Sequence, residues 1–199
     1  MFENNDFELW LQEGVQKEIN EKWSCRLNSE FRFARGASFL YLTYAEFLFV
    51  YQPSDWLELV GGYRQLGVFS PLTKKLEPVE NPLIDLIFYF SSKEWKWSNR
   101  NRVQYIIPSG VVKNFWVYRN RLRLTSPWKL TQIKLIPFVD DEVFFRERVG
   151  FSENRFAIGG TVQPPDSYHV RTFYMLRHIK LLDRWTHQNI LGLYFSFSF

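Results

Sequence analysis

The 199-residue chain contains one cysteine, Cys25, which excludes an intrachain disulfide and any cysteine-rich metal site. Histidine is scarce as well, with only His169, His178 and His187. No run approaches the roughly 18 uninterrupted apolar residues that a membrane helix requires. Gly-rich phosphate loops, nucleophile elbows and ligand-spaced metal motifs are missing, so no metal or cofactor is expected. The basic excess is slight, 25 Lys and Arg against 21 Asp and Glu, with no dense basic run, so no nucleic-acid partner is expected. The opening MFENNDFELW has neither the basic n-region nor the apolar h-region of a signal peptide. The expectation is therefore a cytoplasmic protein, or a mature chain carrying a start Met after loss of its leader.

Aromatic residues, by contrast, are abundant: 19% of the chain, with 20 Phe, 10 Tyr and 8 Trp, beside 23% charged residues. A mean hydropathy of -0.27 conceals this mixture. Only a geometry that keeps the two classes apart can hold both. The pattern that separates them has a period of two. In WSCRLNSEFRF, 23–33, the mostly apolar set Trp23, Cys25, Leu27, Ser29, Phe31 and Phe33 alternates with Ser24, Arg26, Asn28, Glu30 and Arg32. That alternation is the signature of a strand with two unlike faces. It recurs at 5–19, 39–51, 56–65, 82–91, 96–107, 115–125, 132–145, 154–163, 168–178 and 186–199, separated by turn signals. The reading is all-β, a single domain over 1–199 made of consecutive hairpins.

Alternation does not say which face is inside, but volume does. Apolar sets such as Ile84, Leu86, Phe88 and Phe90, or Phe39, Tyr41, Phe47, Phe49 and Tyr51, would overfill a barrel of this size. A barrel of about eight strands is already filled by its side chains. The opposite set, Arg26, Glu30, Arg32, Glu46, Asp85, Arg100, Arg102, Arg121, Arg123, Asp140 and Glu142, with Glu58 and Arg64, is expected to pack the lumen as a mixed-sign network. An apolar exterior then requires lipid. A two-sheet soluble sandwich is the competing arrangement. Tryptophan placement favours the membrane: Trp23, Trp56, Trp95, Trp97 and Trp128 lie beside short turns, Trp116 and Trp185 beside longer loops. Two aromatic girdles suit a barrel in a bilayer. The expected fold is an up-and-down antiparallel transmembrane β-barrel with short periplasmic turns and longer extracellular loops. Eleven strands are countable, but bacterial single-chain barrels are normally even-numbered, so twelve strands are expected, or ten.

Several stretches, among them KWSCRLNSEFRF 22–33, WLELVGGYR 56–64, FWVYRNRLRL 115–124, PFVDDEVFF 137–145 and NILGLYFSFSF 189–199, resemble DUF2490. This is a bacterial family of unknown function predicted to form outer-membrane β-barrels. The resemblance implies a secreted precursor, an outer-membrane location and no assigned chemistry. It also implies that Phe195, Phe197 and Phe199 face lipid and serve as the C-terminal signal read by the barrel assembly machinery. Outer-membrane lipids and lipopolysaccharide are the remaining expected partners.

Sites of chemistry are weakly signalled. His178 and His187, with Asp183, flank the last long loop and are the only catalytic candidates, in the manner of barrel-wall enzymes that modify lipids. Asp140 and Glu142 share a lumen face opposite the arginine rows and are expected to form ion pairs there, not a cation site. Loop 66–81, with Lys74 and Lys75, is expected to be an external binding surface or lid meeting lipopolysaccharide phosphates. Three functions remain open at this point: a structural or surface-interaction barrel with a plugged lumen, a narrow pore for small anions, and a lipid-modifying enzyme. The first is expected, without enzyme activity. Oligomeric state is left open.

Overall fold

The computed structural model describes residues 5–109, 112–162, 168–181 and 184–199. Eleven strands follow one another: β1 Asp6–Glu18, β2 Trp23–Ala34, β3 Phe39–Ser54, β4 Leu57–Ser70, β5 Lys75–Ser92, β6 Trp95–Pro108, β7 Phe115–Thr125, β8 Ile136–Arg146, β9 Gly150–Val162, β10 Tyr168–Leu181 and β11 Arg184–Ser198. Each pairs with its neighbours in sequence, and β1 closes onto β11 to complete a barrel. The expected twelve strands, or ten, are therefore eleven.

The odd number dictates how the barrel closes. Consecutive strands alternate in direction, so the first and eleventh run the same way. Their seam must be parallel, and it is, with Asp6 opposite Gln188 through to Gln16 opposite Ser198. The barrel is thus antiparallel everywhere except at one seam. The parallel seam lets an odd number of strands close, and it leaves the two chain ends at opposite rims. Phe199 shares one rim, here the C-terminal rim, with turns 19–22, 55–56 and 93–94 and loop 126–135. Asn5 shares the other, the N-terminal rim, with turns 35–38, 71–74 and 147–149.

Among the described residues the expected contrast between short turns and long loops is not found. β4 runs on to Ser70 and β5 begins at Lys75, so the anticipated loop or lid at 66–81 is mostly strand joined by a four-residue turn, 71–74. Backbone torsions explain the tightness. Lys74 and Arg148 take left-handed φ of 57° and 67°, and Gly150 follows at 72°, which lets the chain reverse within a few residues. Among the described residues the longest connection is 126–135, on the rim expected to carry the short turns.

The two faces separate as alternation requires, with one instructive exception. Tyr41 was expected beside Phe39 and Phe47 on the outer face. A bulge between β2 and β3 pairs Arg32 with Leu42 and Phe33 with Leu40, leaving Tyr41 as the extra residue. The extra residue reverses parity, so Tyr41 is buried in the lumen. Close packing is needed inside as well. A side chain at Gly192 of β11 would collide with the ring of Phe173 on β10, which lies across it in the lumen.

Candidate functional site: a lumen stoppered at one end

Toward the N-terminal rim the lumen is packed with buried charged and aromatic side chains. Glu8 of β1 is fully buried, and Trp10 beside it is 2% exposed. The Trp10 indole donates to Glu8 Oε2 at 2.8 Å, and the Tyr41 hydroxyl donates to the same oxygen at 2.7 Å. The Arg32 guanidinium lies over the Trp10 ring, 3.6 Å from its centroid, while Arg32 also pairs with Glu30. Along the same wall, Arg177 of β10 donates to Glu153 of β9 at 2.6 Å and to Gln188 of β11 at 3.0 Å. Arg155 holds the same Glu153 at 2.6 Å. Cation–ring stacking and shared carboxylates offset most of the buried charge here; Glu8 Oε1 has Arg177 3.9 Å away but no hydrogen bond among the described residues, and Gln188 Nε2 likewise has none. Trp10 was not anticipated as a lumen residue, although its parity with Glu8 and Gln12 marks it as one.

A second belt crosses the middle. Arg102 forks onto Asp85 at 2.6 and 2.7 Å, and Arg64 donates to Glu46 at 2.9 Å. Arg26 forks onto Glu58 at 2.9 and 3.1 Å, with the Tyr89 hydroxyl on the same carboxylate at 3.1 Å. Arg123 forks onto Asp140, both contacts at 2.5 Å. Glu142 is shared, accepting from Arg100 at 2.6 Å and Arg119 at 2.9 Å, with Arg155 at 3.8 Å. Asp140 and Glu142 thus bind Arg123, Arg100, Arg119 and Arg155. Of the expected lumen residues, Arg121 alone takes part in no ion pair among the described residues.

Toward the C-terminal rim the lumen opens into a cavity of about 620 Å³. Gln16, Ser98, Thr125, Thr161, His169 and Ser198, from strand ends at that rim, line its outer part. Arg100, Arg121, Arg123 and Arg171 line its depth. Leu48, Ile87 and Tyr89 form a facing apolar wall, continuous with buried Val50, Val60 and Leu83. The arrangement is a cup with an arginine-rich side and a partly apolar side, where Glu46 and Asp85 also reach the lining.

The outer wall carries the other expected residues. His178 and His187 are cross-strand partners whose rings meet edge to face, centroids 4.5 Å apart, on the outside of the barrel. Asp183 lies outside the described residues. Trp23, Trp56, Trp97 and Trp128 are exposed and Trp95 half-buried at the C-terminal rim, and Trp116 and Trp185 are exposed at the N-terminal rim. Phe195, Phe197 and Phe199 all point outward and are exposed. A polar ladder interrupts this apolar wall: Asn120 and Tyr118 donate to Asn101 at 2.9 and 2.6 Å, and Asn154 donates to Asp141 at 2.8 Å. Among the described residues no three His, Cys, Asp or Glu side chains converge as a metal site.

No curated protein and no solved structure matches the chain. The family described as "Protein of unknown function (DUF2490)" matches residues 7–188. An eleven-stranded barrel with a charged lumen is thus the form this sequence takes, and the chain belongs to the DUF2490 family.

Proposed function

We propose that the protein is an integral outer-membrane β-barrel that does not conduct, serving a structural or surface-interaction role with its lumen stoppered near the N-terminal rim. The observation that carries this reading is the inversion of faces. Arg102, Asp85, Glu46, Arg64 and Glu142 are buried inside, while Ile84, Phe49, Phe90, Ile158 and Phe195 are exposed outside. A soluble domain gains nothing from that arrangement, whereas lipid makes it favourable. Strand length supports it: the shortest strands have 11 residues. At about 3.3 Å per residue and a tilt near 40°, they rise roughly 28 Å, enough for an apolar band of about 25 Å. The outward asparagines bond to one another, which lowers their cost toward lipid.

Under this reading the tryptophans at the two rims sit at headgroup level, and Phe195, Phe197 and Phe199 present the assembly signal. The C-terminal rim is periplasmic, and Lys74 and Lys75 at the opposite rim meet lipopolysaccharide phosphates. A pore is disfavoured by the packing of Trp10 with Glu8, Tyr41, Arg32 and Arg155, side chains that enter the bore from β1, β3, β2 and β9. Folding into detergent with heat-modifiable gel migration tests membrane residence. Planar-bilayer recording tests closure: the folded barrel should give no unitary current, and a steady single-channel current would overturn it.

A further inference from the structure

We infer that the cup at the C-terminal rim is a binding site for a phosphate group, held by Arg121 and Arg171 with Arg100 and Arg123 beside them. The inference rests on the lumen alone and does not depend on membrane residence. The reason is an imbalance of charge. Arg100, Arg119, Arg121, Arg123 and Arg171 approach this part of the bore from β6, β7 and β10; Asp140 and Glu142 are the carboxylates nearest them in register, while Glu46 and Asp85, which also line the cup, are held by Arg64 and Arg102. Asp140 and Glu142 are engaged as well. Asp140 is forked by Arg123, and Glu142, although it is the cross-strand partner of Arg121, is taken up by Arg100, Arg119 and Arg155.

Arg121 is therefore left with Arg100 directly opposite on β6, a like-charge pair that is destabilising by itself. Its Nε is buried without a hydrogen-bond acceptor, and so is the Nε of Arg171. The guanidinium of Arg171 lies 5.3 Å from the Tyr194 ring and 5.7 Å from the Phe138 ring, and among the described residues it forms no ion pair. Two guanidinium groups with unused donors therefore line one cavity that is large enough for an anion. A tetrahedral oxyanion supplies the missing charge and accepts forked hydrogen bonds, which is the geometry guanidinium favours. The facing wall of Leu48, Ile87 and Tyr89 leaves room beside it for an apolar substituent. The phosphate can thus be free or be the head group of an amphiphile.

Calorimetric titration of the detergent-folded barrel with inorganic phosphate, at constant ionic strength in chloride, tests the site. One saturable site is expected. Arg121→Gln and Arg171→Gln should each weaken it at least tenfold, and Arg148→Gln, on an exposed turn, should leave it unchanged. Butyl phosphate run in parallel separates the sources: tighter binding than phosphate indicates an amphiphile, equal binding a free oxyanion, and both support the site. Absence of saturable binding, or binding untouched by Arg121→Gln and Arg171→Gln, overturns it. So does failure of Arg121→Gln to fold, because a side chain without a carboxylate partner has no structural bond to lose. Loss of phosphate binding in a barrel that still inserts into lipid would sink this inference and leave the proposed function standing.

Discussion

Replacing Glu142 by glutamine keeps the shape of the side chain and removes the charge that three arginines share. Glu142 is buried, and its oxygens lie 2.6 Å from Arg100, 2.9 Å from Arg119 and 3.8 Å from Arg155. The amide that replaces it offers one acceptor and points two donors at cations. Breaking a single buried pair costs about 3–5 kcal/mol, because the stranded charge has no water to turn to. Arg155 keeps Glu153 at 2.6 Å, so two stranded guanidinium groups, Arg100 and Arg119, place Glu142→Gln in the middle of that range, about 4 kcal/mol. At a urea sensitivity of ~2 kcal/mol per M, the unfolding midpoint of the barrel should fall by roughly 2 M. Tryptophan fluorescence during reversible unfolding from lipid vesicles reads that midpoint. Glu147→Gln is the reference, since Glu147 and Arg148 sit 3.4 Å apart with side chains 37% and 64% exposed. Such an exposed pair contributes less than about 1 kcal/mol. Adding Arg119→Gln to Glu142→Gln should restore part of the loss by removing one stranded cation. Equal midpoint shifts for Glu142→Gln and Glu147→Gln would refute the reasoning, since they would mean that water fills and screens the lumen.

Other residues test separate parts of the account. Ile84 lies midway along β5 and is 67% exposed on the outer face. Ile84→Arg should cost roughly 2–4 kcal/mol in a bilayer, measured as the free energy of folding into vesicles; a cost near zero would contradict lipid contact. Trp10→Ala with Glu8→Ala should hollow out the stopper and produce unitary currents in planar bilayers that the wild-type barrel lacks. A folded but silent double variant would place the closure elsewhere. Gly192→Ala forces a methyl group against Phe173 and should destabilise by about 1–3 kcal/mol, the usual cost of overpacking. Phe173→Leu in the same chain should recover most of that loss in a urea titration.

Alternation made much of the candidate site legible. Arg102, Asp85, Glu46 and Glu142 could be assigned to one face from parity alone, since side chains of a strand point to opposite sides in turn. Parity could not reveal where parity breaks. Tyr41 reaches Glu8 only because a bulge inserts one residue in β3. Nor could it show which arginine would lack a partner. Arg121 and Glu142 are neighbours in register, yet Glu142 is captured by Arg100 from β6 and Arg155 from β9. Those captures depend on how far long side chains reach across a curved bore. The turns were misjudged for a related reason: residues 66–70 and 75–81 lie in regular ladders because β4 and β5 continue to pair beyond the apolar run.

By itself, then, the sequence determined the all-β class, the number of countable strands, and which side chains share a face. These follow from local chemistry, the two-residue repeat of an extended backbone and the turn residues between repeats. Tertiary structure alone decided the parallel seam between β1 and β11, the stopper around Trp10 and the unpaired arginines of the cup. Each of these arises from bringing residues far apart in the chain around a closed circle. An odd number of alternating strands can close only by running its first and last in the same direction.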